Sequence, residues 1–277
     1  MKPVTIGIAG WALPRADAAL FPPAGFGSNL ARYAAVFGAV EINSSFYRPH
    51  KPETYARWAE SVPASFRFAV KLPRTVTHEK RLLDIGADLD RFVAEAGALG
   101  GKLGWVLIQT PPSLRFDPAA ADALFTGLRA RLAAIIPSDA GAADTASESR
   151  NNSHLNRVML ACEARHGTWF SDQATALMRE QGIIRVVSDP PVGEPGPYVA
   201  TSHEGAYVRL HGSPLIYRSI YEPERLAQVA TWLRGQHGHA LVIFDNTMSG
   251  TQVRQALQLR EMLTSSLSSD HHPGSHT

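Results

Sequence analysis

Along the chain, short apolar runs alternate with longer stretches in which apolar residues recur every three or four positions. Side chains of a strand alternate between its two faces, whereas those of a helix return to one face at i, i+3, i+4 and i+7. On this basis eight strands are predicted: Val4–Gly10, Ala39–Phe46, Phe66–Leu72, Gly104–Thr110, Arg157–Arg165, Ile183–Asp189, Ala206–His211 and Ala240–Asn246. Helical patterns separate most of them. Leu30, Tyr33, Ala34 and Phe37 follow a Ser28 cap, and Tyr55, Trp58, Ala59 and Val62 follow Pro52 at a first helical turn. Further helices are predicted through Leu89 and Val93, from Asp117-Pro118 through Leu132, from Ser171 to a Gly182 stop, from Pro223 through Leu233, and around Val253 to Leu263.

Regular alternation of strand and helix predicts a parallel sheet covered by helices, and eight repeats predict closure into a single (β/α)8 TIM-type barrel. One helix is missing from the pattern. Residues 190–197 hold four prolines and two glycines, so a loop is expected in place of helix six. The barrel is expected to occupy residues 1–263. Residues 137–156, rich in Ser, Ala, Asp and Asn, read as a flexible insert, and residues 264–277 as a disordered tail.

The strand ends carry the candidate chemistry. Val40, Ile42, Val70, Leu160, Cys162, Val208, Leu210, Val242 and Phe244 are expected to face the helices. Alternation then sends Glu41, Asn43, Lys71, Glu163, Arg165, Arg209, His211 and Asp245 the other way, into one common space. Burying a charge costs several kcal/mol, so such a concentration implies a convergent polar site.

Composition narrows the field modestly. A net charge of +2 indicates no whole-molecule attraction to nucleic acid or to a membrane surface. The single Cys162 cannot form an internal disulfide, which fits a reducing, cytoplasmic location. No stretch approaches the roughly 20 apolar residues of a membrane span, and the N-terminus does not read as a signal peptide.

Seven motifs in order resemble those of the YecE-like family, catalogued as domain of unknown function 72. They are Gly7-Ile8-Ala9-Gly10-Trp11; Val40 through Arg48 (VEINSSFYR); Phe68 through Pro73 with Thr77-His78-Glu79-Lys80; Leu107 through Ser113; Glu163-Ala164-Arg165-His166 with Trp169; Val208 through Gly212; and Phe244-Asp245-Asn246 with Gly250. The resemblance runs from Val4 to about Leu263 and implies a TIM-type barrel without implying a reaction. Ala12-Leu13-Pro14-Arg15 departs from the aromatic residues that usually follow the first motif, and the insert at 137–156 is atypical.

In barrels of this type, chemistry sits at the C-terminal ends of the strands. Glu41, Lys71, His78, Glu163, His211 and Asp245 are therefore the candidate acid, base or nucleophilic groups. Trp11, Asn43, Tyr47, Arg48, Gln109, Arg165, Trp169, Arg209 and Asn246 are the candidate ligand contacts. Arginine presents a fork suited to phosphate or carboxylate, lysine a point charge, and rim aromatics a face for a ring. These types together point to a small polar ligand, anionic or phosphorylated, open to acid–base processing as by a hydrolase, lyase or isomerase. No cofactor is predicted. Two alternatives stay open: a divalent-metal hydrolase of the endonuclease IV or xylose-isomerase type, using Glu41, Glu163, His211 and Asp245, and a non-catalytic binder of single-stranded nucleic acid. A salt-bridge network that only closes the barrel is the structural reading of the same residues.

Overall fold

The computed structural model describes residues 3–135, 157–194 and 198–265. Its strands are β1 (Val4–Ala9), β2 (Ala39–Ile42), β3 (Arg67–Lys71), β4 (Leu103–Gln109), β5 (Met159–Glu163), β6 (Ile184–Arg185), β7 (Val187–Asp189), β8 (Gly205–Leu210) and β9 (His239–Phe244). All pairings are parallel, in the order β6-β5-β4-β3-β2-β1-β9-β8-β7. The two strands at the ends of that order, β6 and β7, are separated in the chain only by Val186. The sheet therefore comes round to a nearly closed, barrel-like ring, with β6 on β5 and β7 on β8.

The stretch expected as one sixth strand is thus split. The Arg185 backbone N–H donates to the Thr201 hydroxyl at 2.8 Å, outside the strand ladder. Its guanidinium is drawn outward to the Trp169 carbonyl (3.1 Å) and the Thr175 hydroxyl (2.9 Å).

The helices are α1 (Asn29–Ala34), α2 (Ser44–Tyr47), α3 (Pro52–Glu60), α4 (Gly86–Ala96), α5 (Pro118–Ile135), α6 (Asp172–Glu180), α7 (Pro223–Arg234) and α8 (Gln252–Ser265). Their starts follow the capping signals. Ser28 Oγ accepts from Ala31 N–H, Asp117 Oδ1 from Ala120 N–H and Ser171 Oγ from Ala174 N–H, while Pro52 and Pro223 open α3 and α7. Among the described residues no helix lies between β7 and β8. Residues 195–197 of that segment, the expected insert at 137–156 and the tail from 266 lie outside the described residues; α8 carries the chain through Ser265.

The second predicted strand ends earlier than its composition suggests. β2 stops at Ile42, and Ser44–Tyr47 forms one helical turn. Ser45 Oγ lies 3.0 Å from the Ile42 carbonyl and 2.7 Å from the Lys71 carbonyl, tying that turn across the end of β3. Likewise β5 ends at Glu163, before Arg165.

Two apolar clusters follow from strand alternation. The outer one, between sheet and helices, contains every residue predicted to face the helices, from Val40 and Ile42 to Val242 and Phe244. Cys162 belongs to it, with its thiol pushed up to about 12 by burial. The inner one fills the barrel with Ala39, Ala69, Trp105, Leu107, Met159, Ala161, Tyr207, Leu241 and Ile243, among others.

Candidate functional site

The charged positions begin where the inner apolar cluster ends. Two residues beyond Ala39, Ala69, Leu107, Ala161, Tyr207 and Ile243 stand Glu41, Lys71, Gln109, Glu163, Arg209 and Asp245, all on the same inward phase. All of these polar residues are buried, and so is His211, two further on from Arg209.

Arg209 is the hub. Its Nε and Nη2 reach Glu41 Oε2 (3.0 Å) and Oε1 (2.7 Å) in a two-pronged contact. Its Nη1 donates to Glu163 Oε2 at 2.5 Å, and Nη2 also donates to Asp245 Oδ2 at 2.9 Å. Three carboxylates thus share one guanidinium, whose planar fork suits two-pronged contact. They hold Arg209 well above its ordinary value although burial pulls the other way.

His211 bridges two of the same carboxylates. Nδ1 lies 2.9 Å from Asp245 Oδ2 and Nε2 lies 2.9 Å from Glu163 Oε1. An ionised carboxylate only accepts, so these two contacts favour the doubly protonated ring, although Arg209 Nη1 also lies 3.5 Å from Nε2. Burial disfavours that charge, but the bonds to Asp245 and Glu163 raise His211 above its ordinary value. Burial likewise works against the Glu163 and Asp245 carboxylates. Arg209 and His211 outweigh it, holding Glu163 well below the ordinary range and lowering Asp245.

The remaining partners complete a continuous layer. Tyr207 O–H donates to Glu41 Oε2 (2.7 Å), Ser188 O–H to Glu163 Oε1 (3.2 Å), and Arg165 Nη2 to Glu163 Oε1 (3.0 Å). Gln109 Nε2 donates to Glu163 Oε2, and Gln109 Oε1 accepts from Lys71 Nζ, both at 2.7 Å. Lys71 Nζ also sits 4.1 Å above the centre of the Phe46 ring. Burial and the Arg209 charge bring Lys71 down to about 8, against the pull of Glu41, Glu163 and Asp245.

Depth separates these groups. Glu41, Glu163, Arg209 and His211 are at most 1 % exposed, whereas the side chains of Asp245 and Arg165 are 10 % and 19 % exposed. His78 stands beside the latter tier on the single π-turn Thr75–Glu79. Its Nδ1 is 2.8 Å from Thr77 Oγ1, and its ring packs edge-on to Phe46 at 4.9 Å. Burial, then Lys71, Arg165 and Arg74, lower its basicity. The Tyr217 phenol interacts with Asp245 and Arg165, and its ring lies 6.0 Å from that of His211.

Of the residues singled out in the sequence, Glu41, Lys71, Gln109, Glu163, Arg165, Arg209, His211 and Asp245 are joined in this layer, with His78 at its edge. Others are not. Trp169 is corrected from a ligand contact to a packing residue: it is fully buried in the outer cluster, packs on Phe116, and its indole N–H donates to the Leu114 carbonyl at 2.9 Å. Asn246 is also buried, and its Nδ2 donates to Gln255 Oε1 (2.7 Å) and the Ser219 carbonyl (3.3 Å), tying loops together. Asn43 has left the strand and lines a separate cleft with Trp11, Asn29 and Ser44. Trp11 packs edge-on to Trp58. Tyr47, at the end of α2, and Arg48, just past it, are exposed.

Phe46, Ser188, Tyr207 and Tyr217 join the site from outside the sequence candidates. Alternation alone identifies Tyr207, two residues before Arg209. Nothing in the sequence announces Phe46, which the early end of β2 swings over Lys71. Among the described residues no group of three or more His, Cys, Asp or Glu is arranged to hold a metal ion, and no helix is long and apolar enough to cross a membrane.

Comparison with known proteins agrees with this architecture. The chain is 24% identical to a DUF72 family protein of Thermotoga maritima, with a TM-score of 0.70 over 94% of this chain and 99% of that one. Among curated proteins, it is 26% identical to the UPF0759 protein YunF of Bacillus subtilis over 76% of this chain and 70% of YunF. It is also 32% identical to the UPF0759 protein YecE of Escherichia coli, in a match that spans only 35% of either chain. The family pattern described as "Protein of unknown function DUF72" matches residues 5–276, and the chain belongs to that family.

Proposed function

We propose that the barrel mouth binds a small polar anion, such as a phosphorylated or carboxylated metabolite, and exchanges protons with it. The observation that carries this reading is a charge count. Four cations, Lys71, Arg165, Arg209 and His211, share one layer with three carboxylates, Glu41, Glu163 and Asp245. With His211 and Lys71 protonated, the layer holds one positive charge in excess, and a single anionic group balances it.

The contacts available to that anion are narrower than the sequence suggests. Arg209 and His211 spend their donors on carboxylates at the bottom of the layer. Arg165, whose side chain is a fifth exposed, and Lys71, whose Nζ is bonded to no carboxylate, are the cations left to partner the anion, with His78 beside them. The proton-handling groups shift accordingly. Glu163 and Asp245 are held ionised by their cations and make weak bases. His78, its basicity lowered by burial and by Lys71, is the candidate proton acceptor, and Lys71, at about 8, can donate a proton near neutral pH.

A thermal-shift panel of phosphorylated sugars, nucleotides, carboxylic acids, Mn²⁺, Zn²⁺ and oligonucleotides tests the reading. It predicts stabilisation by small anions that is lost in Arg165→Gln. Stabilisation by a divalent metal that depends on Glu163 and Asp245 transfers the site to the metal-hydrolase alternative. A steeply salt-dependent affinity for oligonucleotides alone transfers it to the nucleic-acid alternative.

A further inference from the structure

We propose that Lys71 is a nucleophile toward carbonyl compounds, its Nζ forming an imine with an aldehyde or ketone that carries an anionic group. The inference rests on the anion-binding reading above and adds the class of substrate.

The bonding of Lys71 is what sets it apart. Three carboxylates lie near enough to act on its charge, yet none of them is its hydrogen-bond acceptor; each is committed to Arg209. The acceptor for Nζ is the neutral amide oxygen of Gln109. That orientation is enforced, because Gln109 Nε2 must donate to Glu163 Oε2, which only accepts. On another side the Phe46 ring shields the amine. Lys80, by contrast, pairs with Asp88 at 2.8 Å at the surface. An ammonium bound to a carboxylate gives up its proton reluctantly, whereas one in a buried site against a neutral amide and beside a guanidinium gives it up readily. The lowered basicity of Lys71 agrees with that geometry.

Its position completes the argument. Lys71 is the last residue of β3, at the C-terminal barrel face, and its charge and that of Arg165 both act on His78. A carbonyl compound whose anionic group pairs with Arg165 presents its carbonyl carbon toward Nζ. The lone pair of the neutral amine forms the C–N bond while the carbonyl π pair moves to oxygen and takes up a proton. The carbinolamine then loses that oxygen as water, whose two hydrogens replace the two lost from nitrogen, and the C=N bond remains. His78, edge-on to the same Phe46 ring, is the neighbouring group able to carry these protons. An imine draws electrons from the adjacent carbon and eases proton removal or bond cleavage there, which is chemistry of the lyase or isomerase kind.

The test uses the full chain and pyridoxal 5′-phosphate as an anionic aldehyde, followed by borohydride reduction and peptide mapping. Lys71 is expected to be labelled at least tenfold faster than the exposed Lys51 and Lys80, with a rate that rises through a midpoint near pH 8. Excess sulfate is expected to protect Lys71 and to leave the surface lysines unaffected. Labelling of Lys71 no faster than Lys51 and Lys80 overturns the inference. Propionaldehyde serves as an uncharged control. If it labels Lys71 as fast as pyridoxal 5′-phosphate and sulfate neither protects nor stabilises, the nucleophile stands and the anion site falls. If sulfate stabilises the protein but neither aldehyde labels Lys71 selectively, the anion site stands and the nucleophile is overturned.

Discussion

Trp105, Leu107, Met159, Ala161, Leu241 and Ile243 fill the lower barrel with apolar side chains, while the next inward residues along the same strands, Gln109, Glu163 and Asp245, are polar or charged. Both tiers are buried and both are continuous. The lower tier gains from every methylene removed from water. The upper tier pays desolvation on each charge, and a network of this kind often adds no net stability over apolar side chains of similar volume. The costly layer lies where the strands point their C-termini, which is the end the proposed function assigns to the ligand.

Cutting into each tier should give different signatures. Arg209→Met leaves three carboxylates without their shared cation and is expected to cost roughly 3–5 kcal/mol at neutral pH, or to prevent folding. That deficit should shrink as the pH falls and Glu163 and Asp245, no longer held down by Arg209, protonate. Leu241→Ala in the lower tier is expected to cost about 2–5 kcal/mol with no such pH dependence. Chemical denaturation at pH 7 and pH 4.5 distinguishes the two.

Tyr207→Phe removes a donor to the buried Glu41 carboxylate. It should cost about 1.5–3 kcal/mol, because the lost bond is to an ionised group.

Lys71→Met should act in the opposite direction, raising stability at pH 7 by roughly 1–3 kcal/mol. The sign follows from linkage. The folded amine titrates near 8 and the unfolded one near 10.5, so the unfolded chain binds more protons between those values. Wild-type stability is therefore expected to climb with pH across that interval, and the climb should vanish in Lys71→Met. A loss of stability in this variant would place Lys71 among the structural groups and erase the distinction between the tiers at its most informative point.

Much of this division is legible in the chain itself. Val40 and Ile42 against Glu41, or Val208 and Leu210 against Arg209, leave little freedom, because a one-residue slip would move every apolar side chain to the wrong face. Strand ends were less legible. Ser44-Ser45-Phe46-Tyr47 continues the look of a strand, but Ser45 ties the chain to the Lys71 carbonyl and turns it into a helix, which lifts Asn43 out of the layer. Pairing within the layer could not be read at all. Whether Arg209 binds ligand or carboxylates depends on how close Glu41, Glu163 and Asp245 come across the ring, and only the closed sheet decides that. Trp169 shows the same limit: it follows the Glu163–His166 segment in sequence, yet a carbonyl on Leu114 fixes it in the outer layer.

The central claim is that the mouth binds an anion through its surplus positive charge, and calorimetric titration with sulfate from pH 6.5 to pH 9.5 tests it most directly. Sulfate keeps its charge throughout, so any change belongs to the protein. The account predicts tight binding at pH 6.5 that weakens at least severalfold through a midpoint near pH 8, as Lys71 loses its proton, and no comparable binding by Arg165→Gln. Sulfate affinity that is flat across the range, or equal in the wild type and Arg165→Gln, would contradict it.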